Sequence, residues 1–217
     1  MISKKYNSEN TIEKILDVSS KLFSQKGYMN TSIQNIVDEV GMSKGAIFHH
    51  FKSKEDIFYA VIDAQTKASQ KVVLEWLDDM KGLSGKEKLE NILFRSIGAE
   101  DLHTLDGPIA EKMDDAKIIL TMMRINLSDT AMLIGELIQE GNEDGSLHVL
   151  QPYECAEVFL LLLNTWCDTI IFPCSFKKFK KRQAFSQTLM KNTGLDIVTE
   201  ELLELQIQTL KKLYNYM

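Results

Sequence analysis

Residues Thr31 to Phe51, TSIQNIVDEVGMSKGAIFHHF, constrain the fold of this chain more tightly than any other segment. Ile33, Ile36, Val37 and Val40 recur at i, i+3, i+4 and i+7, which lines one face of an α-helix with apolar groups. Thr31 and Gln34 stand at capping-box spacing and predict where that helix starts, since each can satisfy a backbone donor left free there. Gly41 predicts its end, because glycine enters the left-handed conformation without steric cost. Ser43 then predicts the cap of a second helix reaching about His50, with Ile47 and Phe51 turned inward and Met42 plugging the gap between helices. Lys44, Gly45, Ala46, Phe48, His49 and His50 are left facing outward. Two short helices across a tight turn form a helix-turn-helix, a motif whose second helix fits the major groove of DNA.

The flanks extend the pattern. From Thr11 to Phe58 the chain reads TIEKILDVSSKLFSQKGYMNTSIQNIVDEVGMSKGAIFHHFKSKEDIF. A helix ending in LFSQKGY is followed by the Thr-Ser cap, then I-x-x-I-V-x-x-V-G-M-S-K-G and F-x-x-F-K-S-K-E-D. This succession resembles the N-terminal DNA-binding domain of TetR/AcrR-type transcriptional regulators and covers roughly a quarter of the chain. The resemblance implies an all-α protein, with a helix-turn-helix domain over residues 1–54 and a helical ligand-binding and dimerisation domain over 55–217. It implies that Thr31 and Ser32 face a phosphate, and that Ser43, Lys44, Gly45, Ala46, Phe48 and His49 enter or line the groove. Lys54 matches a phosphate contact of the family. Phe48 departs from the pattern: the family usually carries tyrosine there, and phenylalanine offers apolar contact alone, as to a thymine methyl.

Charge by itself would not suggest DNA, for the net charge is −6. Its distribution agrees better. Residues 1–55 hold eight lysines against six acids, a balance of +2 that leaves −8 for the rest. A mildly basic head on an acidic body orients a protein on a polyanion. Lys4 and Lys5 could act as a flexible arm along the DNA or as a solubilising tail.

At 217 residues and 44% hydrophobic composition the chain can bury a sizeable core. Only three prolines interrupt it, and no alternating β-branched runs appear, so it reads as nearly all helix. Helices are expected near 8–26, 54–80, 86–101, 106–116, 118–141, 153–172 and 197–215, punctuated by Gly-, Asp- and Pro-containing turns. The stretch from Pro173 to Leu195 is basic and irregular, with FKKFKKR at 176–182. The longest uninterrupted apolar run, Val158 to Leu163, is too short to span a bilayer. MISKKYNSEN lacks the apolar core of a signal peptide, and three cysteines (Cys155, Cys167, Cys174) show no framework spacing. The expectation is a cytoplasmic protein with no membrane partner.

No catalytic arrangement is present: P-loop, GxSxG, HExxH and CxxC are all missing from the sequence, and His103 and His148 stand alone. Adjacent His49 and His50 point about 100° apart on a helix and chelate poorly together. No enzyme, cofactor or metal site is expected, and the cysteines read as buried inert thiols, with a redox sensor as the minority reading. The family implies a ligand cavity in the body, for which Phe94, Met113, Met122, Met123, Phe159 and Trp166 are candidate lining; the same residues would also make an ordinary core. If Glu111, Asp114, Asp115 or Glu136 faces that cavity, a hydrophobic cation is favoured as effector; otherwise a neutral apolar molecule is expected. The family also implies a homodimer, through the helices near 153–172 and 197–215. The function expected is a repressor released from a near-palindromic double-stranded DNA operator by a small apolar effector, with an effector-independent regulator or an activator as the alternative.

Overall fold

The computed structural model describes the backbone of residues 2–214 and the side chains of residues 9–212. The side chains of Lys4 and Lys5, and residue 215 of the expected last helix, lie outside the described residues. Eleven α-helices and no strand occur among the described residues, so the all-α expectation holds. The chain divides into two compact units, one of residues 1–69 with 101–118, the other of residues 70–100 with 119–217.

The first unit contains α1 (Ile2–Lys26), α2 (Ile33–Val40), α3 (Lys44–His50), the first turns of α4 (Lys54–Asp79), and the short α6 (Asp106–Ala110). Ile15, Leu22 and Phe23 of α1, Ile36, Val37 and Val40 of α2, Ile47 of α3, and Ile57 and Phe58 of α4 are among its buried apolar residues. Phe23 meets Phe58 edge-on at 5.2 Å, and Tyr28 lies 4.7 Å from the Phe58 ring. This aromatic trio fixes where the α1–α2 turn crosses α4.

Residues 111–115 fasten the 101–118 segment to the same unit. Glu111 accepts a hydrogen bond from the Met29 amide at 2.7 Å. Lys112 pairs with Glu55 at 2.9 Å and Asp115 at 3.3 Å, and Tyr59 donates to Asp115 at 3.0 Å. The Glu55 hydrogen bond pushes the Lys112 ammonium pKa up. Burial, then the bond to Asp115, pushes the Tyr59 phenol up to about 12. The folded chain therefore disfavours the phenolate. Tyr59's contribution is fully present below its ordinary value of about 10 and is lost as pH rises through about 12. Circular dichroism across that range should show stability falling with pH in the wild type and falling less in Tyr59→Phe.

The second unit is built on α5 (Gly85–Gly98), most of α7 (Ala116–Asn126), α8 (Asp129–Asp144), α9 (Pro152–Leu161), α10 (Phe176–Asn192) and α11 (Glu200–Tyr214). Leu89, Ile92 and Leu93 of α5, Ile134, Leu137 and Ile138 of α8, and Phe159 and Leu160 of α9 form its core. Ser84 caps α5 through a capping box with Glu87. α11 packs along α5, with Leu202 buried and Lys212 paired to Glu100.

Several boundaries differ from the sequence reading. The 106–116 helix stops at Ala110, because the Asp115 carboxylate accepts from the Lys117 amide and starts α7 afresh. The 118–141 helix is broken at Leu127–Ser128, where the Ser128 hydroxyl donates to the Ile125 carbonyl. The 153–172 helix passes into a π-helical turn at Leu162–Trp166 and ends there. Asp168 then turns the chain by accepting from the amides of Ile170 and Ile171. The basic stretch taken as irregular is the regular helix α10, capped by Ser175.

By length and composition alone, Ala116–Asp144 is apolar enough to cross a membrane. The chain turns within it at Leu127–Ser128, and Ala131, Ile134, Leu137 and Ile138 are buried in the core.

Candidate nucleic-acid interface

The turn between α2 and α3 is set by local chemistry. Ser32 caps α2: its hydroxyl accepts from the Asn35 amide at 3.1 Å, while the Asn35 side chain accepts from the Ser32 amide at 2.9 Å. Gly41, at φ 71°, ends the helix in the left-handed conformation with its amide donating to the Val37 carbonyl. Ser43 caps α3 by accepting from the Ala46 amide at 3.2 Å. Fully buried Ile47 pins α3 to the core.

Lys44, Gly45, Phe48 and His49 are thereby exposed on one short helix, and Ala46 and His50 are half-buried at its margins. The Lys44 ammonium lies 5.8 Å from the centre of the Phe48 ring, which is 42% exposed. The His49 and His50 rings are T-shaped at 5.1 Å. No group of three or more potential ligands among the described residues could hold a metal ion.

Two expected phosphate contacts sit elsewhere. Thr31 is 1% exposed, and its hydroxyl donates inward to the carbonyls of Gly27 at 2.8 Å and Leu22 at 3.3 Å. The capping box expected of Thr31 and Gln34 belongs to Ser32 and Asn35. Lys54 points inward as well: its ammonium donates to the Tyr28 and Thr31 carbonyls, both at 2.8 Å, and lies 4.0 Å from the Tyr28 ring centre. Burial pushes its pKa down. Thr31 and Lys54 thus brace the α1–α2 turn from beneath, leaving Ser32 exposed at the surface. Lys54→Met should lower folding stability by about 2 kcal/mol in urea denaturation, the scale of lost charged hydrogen bonds.

The six candidate ligand residues are divided between the two units. Met113 belongs to the first unit and the other five to the second. Phe94 is 52% exposed, Phe159 is a core residue at 2%, and Met122 and Met123 are half-buried on α7. Trp166, at the π-helical turn, meets Phe185 edge-on at 5.8 Å with the Arg182 guanidinium 5.5 Å from its ring centre. Of the acids considered for a cationic effector, Glu111 and Asp115 are engaged within the first unit, while Asp114 and Glu136 are exposed. An open depression at the start of α5 is lined by polar groups, including Ser84, Glu87, Glu140, Asp144 and Ser146. Burial pushes the Cys155 and Cys167 thiols up, as inert buried thiols require, and Cys174 is half-buried. His103 lies 2.9 Å from Asp106 and His148 is exposed.

A helix-turn-helix head followed by a helical body defines the class. Residues 15–61 match the family model of bacterial regulatory proteins, tetR family. An uncharacterised HTH-type transcriptional regulator of Lactococcus lactis is 45% identical over 69 residues, 32% of this chain and 35% of that protein. The HTH-type transcriptional repressor AcnR of Corynebacterium glutamicum is 28% identical over 122 residues, 55% of this chain and 65% of that one. The first of these relatives is therefore matched over about a third of its length. A TetR-family regulator from Mesorhizobium loti superposes with a TM-score of 0.63 at 19% identity, covering 86% of this chain and 98% of that one, a likeness of fold. The head of this chain is thus similar to the DNA-binding domain of the tetR family.

Proposed function

We propose that this chain is a DNA-binding transcriptional regulator, acting as a repressor that a small apolar effector releases from a near-palindromic operator. The observation that carries the reading is the outward surface of α3: Lys44, Gly45, Phe48 and His49 exposed together on a helix anchored by Ile47. In this reading Ser32, Ser43 and Lys44 hold phosphates, while Ala46, Phe48 and His49 face base edges, Phe48 against a thymine methyl. Thr31 and Lys54 support that surface rather than touch DNA. Residues 1–54 carry DNA recognition, and 55–217 carry effector binding and the homodimer that sets the spacing of two heads.

A displacement titration tests the whole of it. Effector and operator should oppose each other by reciprocal coupling, so apolar molecules that raise the melting temperature should also weaken operator binding. Operator held equally well by free and effector-saturated protein contradicts the release step. The packing of Phe159 into the core and the exposure of Phe94 favour one second reading, an effector-independent regulator, for which no molecule in a broad thermal-shift screen would raise the melting temperature.

A further inference from the structure

Two of the three cysteines come together where the chain turns from the π-helical segment back onto α10. Cys167 ends that segment, and the Phe172 amide donates to the Asp168 carbonyl at 3.0 Å, which curls residues 168–172 into a single turn. Pro173 and Cys174 then lead into the Ser175 cap of α10. The Cys167 sulfur lies 3.4 Å from the Ser186 hydroxyl. The Cys174 sulfur accepts from the Arg182 guanidinium at 3.7 Å, and Arg182 is itself held by donating to the Phe172 carbonyl at 3.1 Å. Arg182 and Ser186 are four residues apart on α10, hence neighbours on one face, with about 5–6 Å between their Cβ atoms. The two thiols therefore dock on adjacent turns of the same helix. They also sense each other: burial first, with Cys174 among the lesser causes, pushes the Cys167 thiol up. Their surroundings differ, since Cys167 is 3% exposed and Cys174 half-buried beside a guanidinium, with Lys177 and Lys178 open on the next turn. Reactive thiols occupy such partly exposed, electropositive places. Cys155 shares none of this, for it lies against Thr193 at the far end of α10.

We propose that Cys174 is a site of oxidation by peroxides, and that Cys167 is the thiol that converts the oxidised Cys174 into a disulfide within the chain. In the first step a lone pair of the Cys174 sulfur attacks one peroxide oxygen. The S–O bond forms, the O–O bond breaks, and the departing oxygen takes the thiol proton and leaves as water or an alcohol. Sulfur loses two electrons to the peroxide and becomes a sulfenic acid. The Arg182 N–H, already turned toward the sulfur, is placed to hydrogen-bond the departing oxygen. In the second step the Cys167 sulfur attacks that of Cys174. The S–S bond forms, the S–O bond breaks, and the hydroxide leaves as water with the Cys167 proton. Cys167 is buried and protonated at rest, so it reacts second, with the sulfenic acid beside it rather than with peroxide from solvent.

Hydrogen peroxide titrated onto the full chain, followed by alkylation in denaturant and peptide mass spectrometry, tests it. In the wild type Cys167 and Cys174 should become resistant to alkylation together and appear as one disulfide within a single chain, while Cys155 stays alkylated. Dithiothreitol should restore both thiols. Cys167→Ser should stop at the sulfenic acid on Cys174, which dimedone traps, and Cys174→Ser should form no disulfide. Arg182→Met should be oxidised about 10-fold more slowly, the scale of one charged hydrogen bond. Circular dichroism establishes that the variants fold, and the wild-type mapping depends on none of them. Met29 and Met132, 67% and 60% exposed, mark the peroxide dose by becoming sulfoxides. Cys167 and Cys174 both intact once these methionines are oxidised overturns the proposal, as does a disulfide that joins Cys174 to Cys155 or to a second chain.

Discussion

Gly45→Leu is expected to abolish specific DNA binding while leaving the fold intact. A Cβ at Gly45 would meet no heavy atom nearer than the Ser43 hydroxyl, at 4.0 Å, so the head has room for the side chain. Leucine is also the better helix former, by up to about 0.8 kcal/mol at an exposed interior position. The substitution should therefore hold or raise the melting temperature. The α3 backbone at Gly45 faces outward, where the proposed interface lets it approach the groove closely. An isobutyl group there holds the helix away from its contacts, and operator affinity should fall at least about 100-fold, or about 2.7 kcal/mol, toward the non-specific level. Loss of binding with no loss of stability separates a DNA-facing role from a structural one. Unchanged affinity would mean that α3 does not enter the groove.

Gly85→Ala is expected to produce a large loss of stability from a single added methyl group. A Cβ at this position would lie 2.6 Å from the Leu137 carbonyl oxygen and 2.6 Å from the Gly141 Cα, both of them backbone. No side chain can turn aside, so α5 and α8 must separate, which opens the contact among Leu89, Leu137 and Ile138. Overpacking against a rigid neighbour costs about 3 kcal/mol, readable as a lowered urea midpoint. Gly98 supplies the control. It ends the same helix with nothing within 4 Å of its Cβ position, and Gly98→Ala should be neutral or stabilising. Equal effects at the two sites would show that the close α5–α8 approach is not what holds the second unit together.

The head was legible because its signals are local. The i, i+3, i+4, i+7 spacing in α2, the glycine at 41 and the serine at 43 each act within one turn of the chain, and each does in the structure what its chemistry predicts. The choice of cap is less local. Thr31-x-x-Gln34 and Ser32-x-x-Asn35 are overlapping caps, and the choice between them follows from burial of Thr31, which depends on packing against α1. Lys54 shows the same limit, since a lysine's spacing does not tell whether its ammonium reaches outward or turns back to the Tyr28 and Thr31 carbonyls.

The body was less legible because its decisive contacts are long-range. α10 is not legible in the sequence, since lysines interrupt its apolar period and one of its inward positions is polar: Gln183, buried and donating to Gln206 of α11. The extent of α9 turned on Asp168, whose side chain ends the run of apolar residues with two backbone bonds. Phe159 and Met122 looked alike as candidate lining. Only tertiary packing sends the first into the core and leaves the second half-buried.

The most direct test of the central claim is fluorescence anisotropy on the DNA upstream of the protein's own coding sequence, against a scrambled duplex, at two salt concentrations. Wild-type protein should bind the upstream DNA selectively. With six to ten phosphate contacts, its affinity should fall by roughly 10³–10⁵ between about 50 and 200 mM salt. Gly45→Leu should reduce the upstream duplex to the level of the scrambled one. Selective binding that persists unchanged in Gly45→Leu would contradict the assignment of α3 as the reading helix.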